Sequence, residues 1–175
     1  MGPHKAAQMF HTRATCILST SAIQGAAMAI ESLSVTPNHV SFTVMNIQRA
    51  LDVFIQLLGA ELLSHNNAAN LQGIRGMTAL DVKSLEIAFL QLGSQRVELL
   101  QFMPMQEATA LTPNTPSFAH LAISVADFDT FLTQARQFDL MPIGESMRML
   151  GGLDVGKRAI YLRSPDALVL EVIGV

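Results

Sequence analysis

From residue 38 onward the chain alternates polar and apolar side chains with the two-residue period of a strand. His39, Ser41 and Thr43 fall on one face and Val40, Phe42 and Val44 on the other. The alternation restarts at His120, where Ala122 and Ser124 share a face and Leu121, Ile123 and Val125 oppose them. NHVSFTVMNIQRAL (38–51) and AHLAISVADFDTFL (119–132) align without a gap, and His39 and His120 stand 81 residues apart. Helical spacing follows each strand, over 47–58 and 128–138. Asn46 and Asp127 precede these helices, and both residue types accept hydrogen bonds from the free amides of a first turn. Gly59 suits the end of the first helix.

Further strand patterns occupy 61–64, 87–92 and 96–102 in the first copy, then 141–144, 158–162 and 167–173 in the second. LGSQ (92–95) and SPDA (164–167) carry reversal residues between the last two strands of each copy, so those strands pair as hairpins. Both halves read β-α-β-β-β. The expected fold is therefore α+β, with a first module at 38–103, a second at 118–175, and a proline-rich linker at 104–117.

Composition narrows the possibilities. Half of the 175 residues are hydrophobic, 14% are charged and the net charge is -3, so no basic field exists to hold nucleic acid or an anionic membrane. Residues 1–37 form an N-terminal extension. Its first 30 residues hold Lys5 and Arg13 and no acidic side chain, which fits either an import peptide or a non-native start, with Met28 as an internal alternative. A cytoplasmic location is expected, with an organelle or export as the alternative if this segment targets the chain. The stretch 16–30 is too short and too polar to span a bilayer. Cys16 is the only cysteine and lies in the extension, so the modules offer a metal only nitrogen and oxygen donors.

In the last strand of each module a glutamate stands among apolar residues: Glu98 in QRVELLQF and Glu171 in ALVLEVIG. Only five histidines and seven glutamates occur in the chain, yet one of each recurs at the same repeat position in both copies. Burying two carboxylates among aliphatic side chains costs several kcal/mol each without a compensating charge. One divalent cation supplies that charge, and two imidazoles with two carboxylates suit Zn, Ni, Co, Mn or Fe better than calcium.

Paired β-α-β-β-β modules, the histidines of HVSFTV and AHLAISV, the glutamates of VELL and VLEV, and the closing YLRSPDALVLEV together resemble the vicinal oxygen chelate superfamily over residues 38–175. The resemblance implies that each module curls into an incomplete barrel around a metal-binding cavity. It implies His39, Glu98, His120 and Glu171 as ligands, a small-molecule substrate held by two adjacent oxygens, and a homodimer. The complete four-ligand pattern is similar to glyoxalase I and to methylmalonyl-CoA epimerase. It therefore implies a metal-dependent lyase or epimerase in which Glu171 and Glu98 move a proton beside a polarised carbonyl. A three-ligand extradiol dioxygenase and a non-catalytic drug-binding protein are the alternatives on the same fold. Leu99–Pro104 lack the asparagine that glyoxalase I shows after this glutamate, and Ala119 stands where epimerases often show a second histidine.

Residues 145–158 hold three glycines and several cations and are expected to form a flap, with Lys157 and Arg158 as binders of an anionic substrate or, more blandly, as solvated charges. The polar stretch 64–76 is expected to leave His65 and Arg75 facing solvent.

Overall fold

In the computed structural model, residues 34–106 and 111–175 are described. The expectations for Lys5, Arg13, Cys16 and Met28 lie outside them. Strand β1 (Val40–Thr43) runs into helix α1 (Ile47–Asp52), which continues as a wider turn over Val53–Leu57. Asn46 caps α1 by accepting from the Arg49 amide at 3.0 Å, and Gly59, at φ +70°, ends the helical run. Next come β2 (Glu61–Asn67), α2 (Leu71–Thr78), β3 (Ser84–Leu92) and β4 (Gln95–Met103). The second copy supplies β5 (Leu121–Val125), α3 (Phe128–Ala135), β6 (Met141–Pro142), β7 (Met147–Arg148), β8 (Arg158–Arg163) and β9 (Val169–Gly174). Asp127 caps α3 through the Thr130 amide at 2.9 Å.

Each copy makes its own sheet, in the orders β1-β4-β3-β2 and β5-β9-β8-β6, with β7 beside β8. β1 lies parallel to β4 and β5 parallel to β9, while β3-β4 and β8-β9 are antiparallel hairpins. The duplicated pattern thus folds twice into the same topology, as an α+β structure of two modules.

One face of each sheet is sealed. Ala88, Leu90, Val97 and Leu99 of the first and Leu162, Leu170 and Val172 of the second are at most 1% exposed, and they join Phe54 of the first module and Phe128 of α3 in one continuous core. The other face carries Ser41 and Thr43 of β1 and Ala122 and Ser124 of β5, with His39 and His120 just ahead of them. Residues 37–175 form one compact unit. An ion pair helps to tie its copies together: Arg49 of α1 reaches Asp166, in the β8–β9 turn, at 2.6 Å.

Two expectations change. Across the end of 64–76 a capped helix, α2, forms although none of its residues is buried; Asn70 accepts from the Gly73 amide, and Gly73 and Gly76 inside it lower the helix propensity of the segment. His65 is not simply solvated: its Nε2 lies 2.6 Å from Glu86 Oε1, and both are about one-third exposed. Arg75 is exposed, as expected, with its Nε donating to the Val82 carbonyl. The segment 145–158 is a hairpin, since Met147 and Arg148 pair with Ala159 and Arg158, and its tip exposes Leu150 and Leu153.

Candidate metal centre

Strand pairing brings each histidine to its glutamate. Ser41 registers with Glu98 across β1-β4, and Ala122 with Glu171 across β5-β9. A histidine two residues before such a position projects from the same face. His39 Nε2 stands 3.3 Å from Glu98 Oε2, and His120 Nε2 stands 3.0 Å from Glu171 Oε2. The imidazoles are about one-third exposed and the carboxylates less, at 15% and 21%. Each pair sits at the rim of its sheet, reachable yet shielded.

The donor chemistry fits a cation. Two atoms bonded to one ion at about 2.0–2.2 Å stand roughly 3 Å apart, as the members of each pair do. The other ring nitrogen of His39, Nδ1, lies 2.8 Å from Asn38 Oδ1. When Nδ1–H donates there, the neutral ring turns the Nε2 lone pair toward Glu98, and a shared proton or a cation must fill the space between them. A partner on the second nitrogen also fixes the tautomer and ring orientation that a ligand needs. The two pairs do not merge. Among the described residues no group of three or more histidine, aspartate, glutamate or cysteine side chains could hold an ion. One chain therefore presents two half-sites, where the sequence suggested four residues about one ion.

Aromatic rings extend the repeat. Phe89 registers with Glu98, and its ring packs edge-on to His39 with centroids 5.6 Å apart. Tyr161 registers with Glu171 and packs edge-on to His120 at 5.1 Å, with Phe118 completing the cluster. Burial, and then the negative charge of Glu171, raise the Tyr161 phenol above its ordinary pKa, so it stays protonated at neutral pH. Tyr161 and Glu171 line a cavity of about 310 Å³ with Pro113, Ile143 and Met147. A second cavity, of about 400 Å³, opens between Ser41 and Thr43 of the first module and Arg163 and Val169 of the second. A wider one of about 590 Å³ runs beside β5 and contains none of the four candidate ligands.

The cations chosen from sequence lie elsewhere. Arg158 registers with Gly174 and alternates with Ala159 and Tyr161, so it occupies the face opposite Glu171. There it pairs with Asp129 at 2.8 Å and lies over the Phe128 ring. Lys157 pairs with Asp154 within its own hairpin at 2.8 Å. Arg163, two residues beyond Tyr161, is the cation on the Glu171 face, and it donates to the Leu111 carbonyl. Period-two reading of RAIYLR puts Tyr161 and Arg163 on one face and Ile160 and Leu162 on the other, and pairing with β9 sets the Tyr161 face on the Glu171 side.

Residues 38–155 match the family described as the Glyoxalase/Bleomycin resistance protein/Dioxygenase superfamily, and the chain belongs to it. It is 30% identical over 146 residues to a 2-epi-5-epi-valiolone epimerase of Actinomyces sp., with 80% of this chain and 79% of that protein covered. Its fold is similar to a glyoxalase family protein of Bacillus cereus, with a TM-score of 0.67 at 21% identity over 85% of this chain and 98% of that one. It is also similar to the trypanothione-dependent glyoxalase I of Leishmania major, with a TM-score of 0.56 at 18% identity over 81% and 87% of the chains. The fosfomycin resistance protein FosX of Mesorhizobium loti gives 0.51 at 16% identity over 81% and 92%.

Proposed function

We propose that the protein is a divalent-metal-dependent epimerase of a small hydroxyketone, and that two copies of the chain complete its site. The observation that carries this reading is the His–Glu pair built twice, at 3.3 and 3.0 Å, on the open faces of two equivalent sheets. The epimerase relative favours epimerisation over the lyase chemistry of glyoxalase I. His39 and Glu98 from one chain and His120 and Glu171 from another would hold the ion. β1 and β5 are the outer strands of their sheets, so each has a backbone edge free to meet a second copy among the described residues.

A divalent ion bound there supplies Lewis acidity at a substrate carbonyl. The chain's own residues do the rest. One glutamate, ionised, takes the proton from the carbon beside the carbonyl, and the glutamate of the other module, entering the cycle protonated, returns its proton to that carbon from the opposite side, inverting its configuration and leaving the two protonation states exchanged. Phe89 and Tyr161 wall the imidazoles and keep water from the reacting carbon.

Two measurements test the proposal: the metal content of protein purified without added metal, and proton-to-deuterium exchange in D2O with 2-epi-5-epi-valiolone, methylglyoxal hemithioacetal and catechol. Expected are a transition metal near one equivalent per chain and exchange only with the hydroxyketone. Less than about a tenth of an equivalent defeats the metal site; turnover of the hemithioacetal or oxygen uptake with catechol replaces the epimerase by the lyase or the dioxygenase.

A further inference from the structure

The duplication permits a comparison inside the molecule. Both half-sites hold a histidine, a glutamate and an aromatic ring in equivalent places, and the ring opposite the glutamate differs between them by one oxygen atom. Where Phe89 lies edge-on to His39 and opposite Glu98, Tyr161 lies edge-on to His120 and opposite Glu171. If the ring served only to wall the imidazole, phenylalanine would do so in the second module as it does in the first. The hydroxyl is the added feature.

Its surroundings narrow what it does. Tyr161 is partly buried and lines the 310 Å³ cavity together with Glu171. Among the described residues no buried side-chain polar atom lacks a partner, and the Tyr161 hydroxyl makes no hydrogen bond to another protein group, so it stands open to the cavity rather than sealed in the core. Glu171 is engaged with His120. The cavity is otherwise walled by Pro113, Ile143, Gly144, Glu145, Met147, Ala159 and Ile160; of these only Glu145 brings a side-chain acceptor, and the Tyr161 hydroxyl makes no hydrogen bond to it.

We propose that the Tyr161 hydroxyl donates a hydrogen bond to a substrate oxygen held beside Glu171, and thereby fixes which end of a vicinal hydroxyketone faces the second module. The proposal rests on the metal reading above and deepens it. Two half-sites related by duplication would otherwise accept the two adjacent oxygens of a substrate in either order. A donor on one side alone breaks the degeneracy, because only the oxygen bearing more negative charge gains from it.

The chain offers its own reporter, since Tyr161 is the only tyrosine and no tryptophan is present. Cobalt(II) is titrated into the metal-free protein while tyrosine fluorescence is followed; quenching reports an ion beside Tyr161. Acetohydroxamate, which presents two adjacent oxygens, is then titrated calorimetrically into cobalt-loaded wild type and Tyr161→Phe. Cobalt binding to Tyr161→Phe is followed by the same calorimetry. Expected are equal cobalt affinity in wild type and Tyr161→Phe and acetohydroxamate affinity about tenfold lower in Tyr161→Phe, the scale of one lost hydrogen bond to a charged acceptor. Equal cobalt binding with acetohydroxamate affinity within twofold overturns the role of Tyr161 alone. A wild-type protein that shows neither quenching nor cobalt binding overturns the metal reading, and the tyrosine's role with it.

Discussion

Removing the guanidinium of Arg49 tests how the two copies are held together. Asp166 is 2% exposed and Arg49 is 55% exposed, with Nη2 and Oδ1 2.6 Å apart. The delocalised charges are centred farther apart than these two atoms, at about 4 Å, where unit charges attract by roughly 4 kcal/mol at an effective dielectric of about 20. Half of the guanidinium is in water, so screening reduces this, and a water molecule can enter where the side chain stood. Arg49→Ala then leaves a buried carboxylate partly rehydrated and should cost about 2 kcal/mol, below the 3–5 typical when one partner of a fully buried pair is removed. Asp166→Ala also removes the charge that is expensive to bury and should cost less, about 1 kcal/mol. The double variant should resemble Asp166→Ala, giving a coupling of about 1–2 kcal/mol. Urea unfolding of the four proteins, with equal slopes required, measures the cycle, and Arg49→Ala should also melt about 4–8 °C lower. A cost under about 0.5 kcal/mol for Arg49→Ala, or a coupling near zero, refutes the account of this pair as a clamp between modules.

Four further outcomes follow from the same structure. Inactive His39→Ala and His120→Ala chains, unfolded and refolded together, should regain about a quarter of wild-type metal sites, because only mixed dimers contain one intact site; no regain means that each site forms within one chain. Glu98→Gln should keep its fold by circular dichroism and lose at least tenfold in cobalt affinity, whereas unchanged affinity points to a three-ligand site. Leu90→Ala, at a position of 0% exposure, should cost about 2–5 kcal/mol in urea unfolding. The Thr130 amide, followed by its hydroxyl, lowers the pKa of Asp127 from 3.8. The stabilisation is therefore complete above the unfolded value and disappears as pH falls through the lower folded value, so Asp127→Ala should be less stable than wild type at pH 7 and match it in strong acid; an equal deficit at both would refute the charged cap.

The repeat was legible because its signal is local. Alternation within HVSFTV and AHLAISV, asparagine and aspartate before the helices, and glycine or SPDA at the reversals each depend on the backbone geometry of a few neighbouring residues. Composition along one strand placed His39 with Ser41, and composition along another placed Glu98 among aliphatic residues; their partnership needed only the assumption that duplicated strands pair alike. Register settled what lay beyond this. Phe89 and Tyr161 join the half-sites because they stand across a ladder from Glu98 and Glu171, a relation between distant segments that no single strand displays. Arg158 looked like a substrate cation while its strand had no assigned faces, and pairing with Gly174 turned it to the helix side against Asp129. Helix α2 buries nothing and holds Gly73 and Gly76, so its composition argued for a loop although its apolar residues keep helical spacing. The sequence alone determined that histidine and glutamate occur twice in equivalent strands, since period and duplication are written in neighbouring residues. Only the tertiary structure decided that one chain keeps the two pairs apart, because the distance between them depends on how two sheets share a core rather than on the order of residues in either.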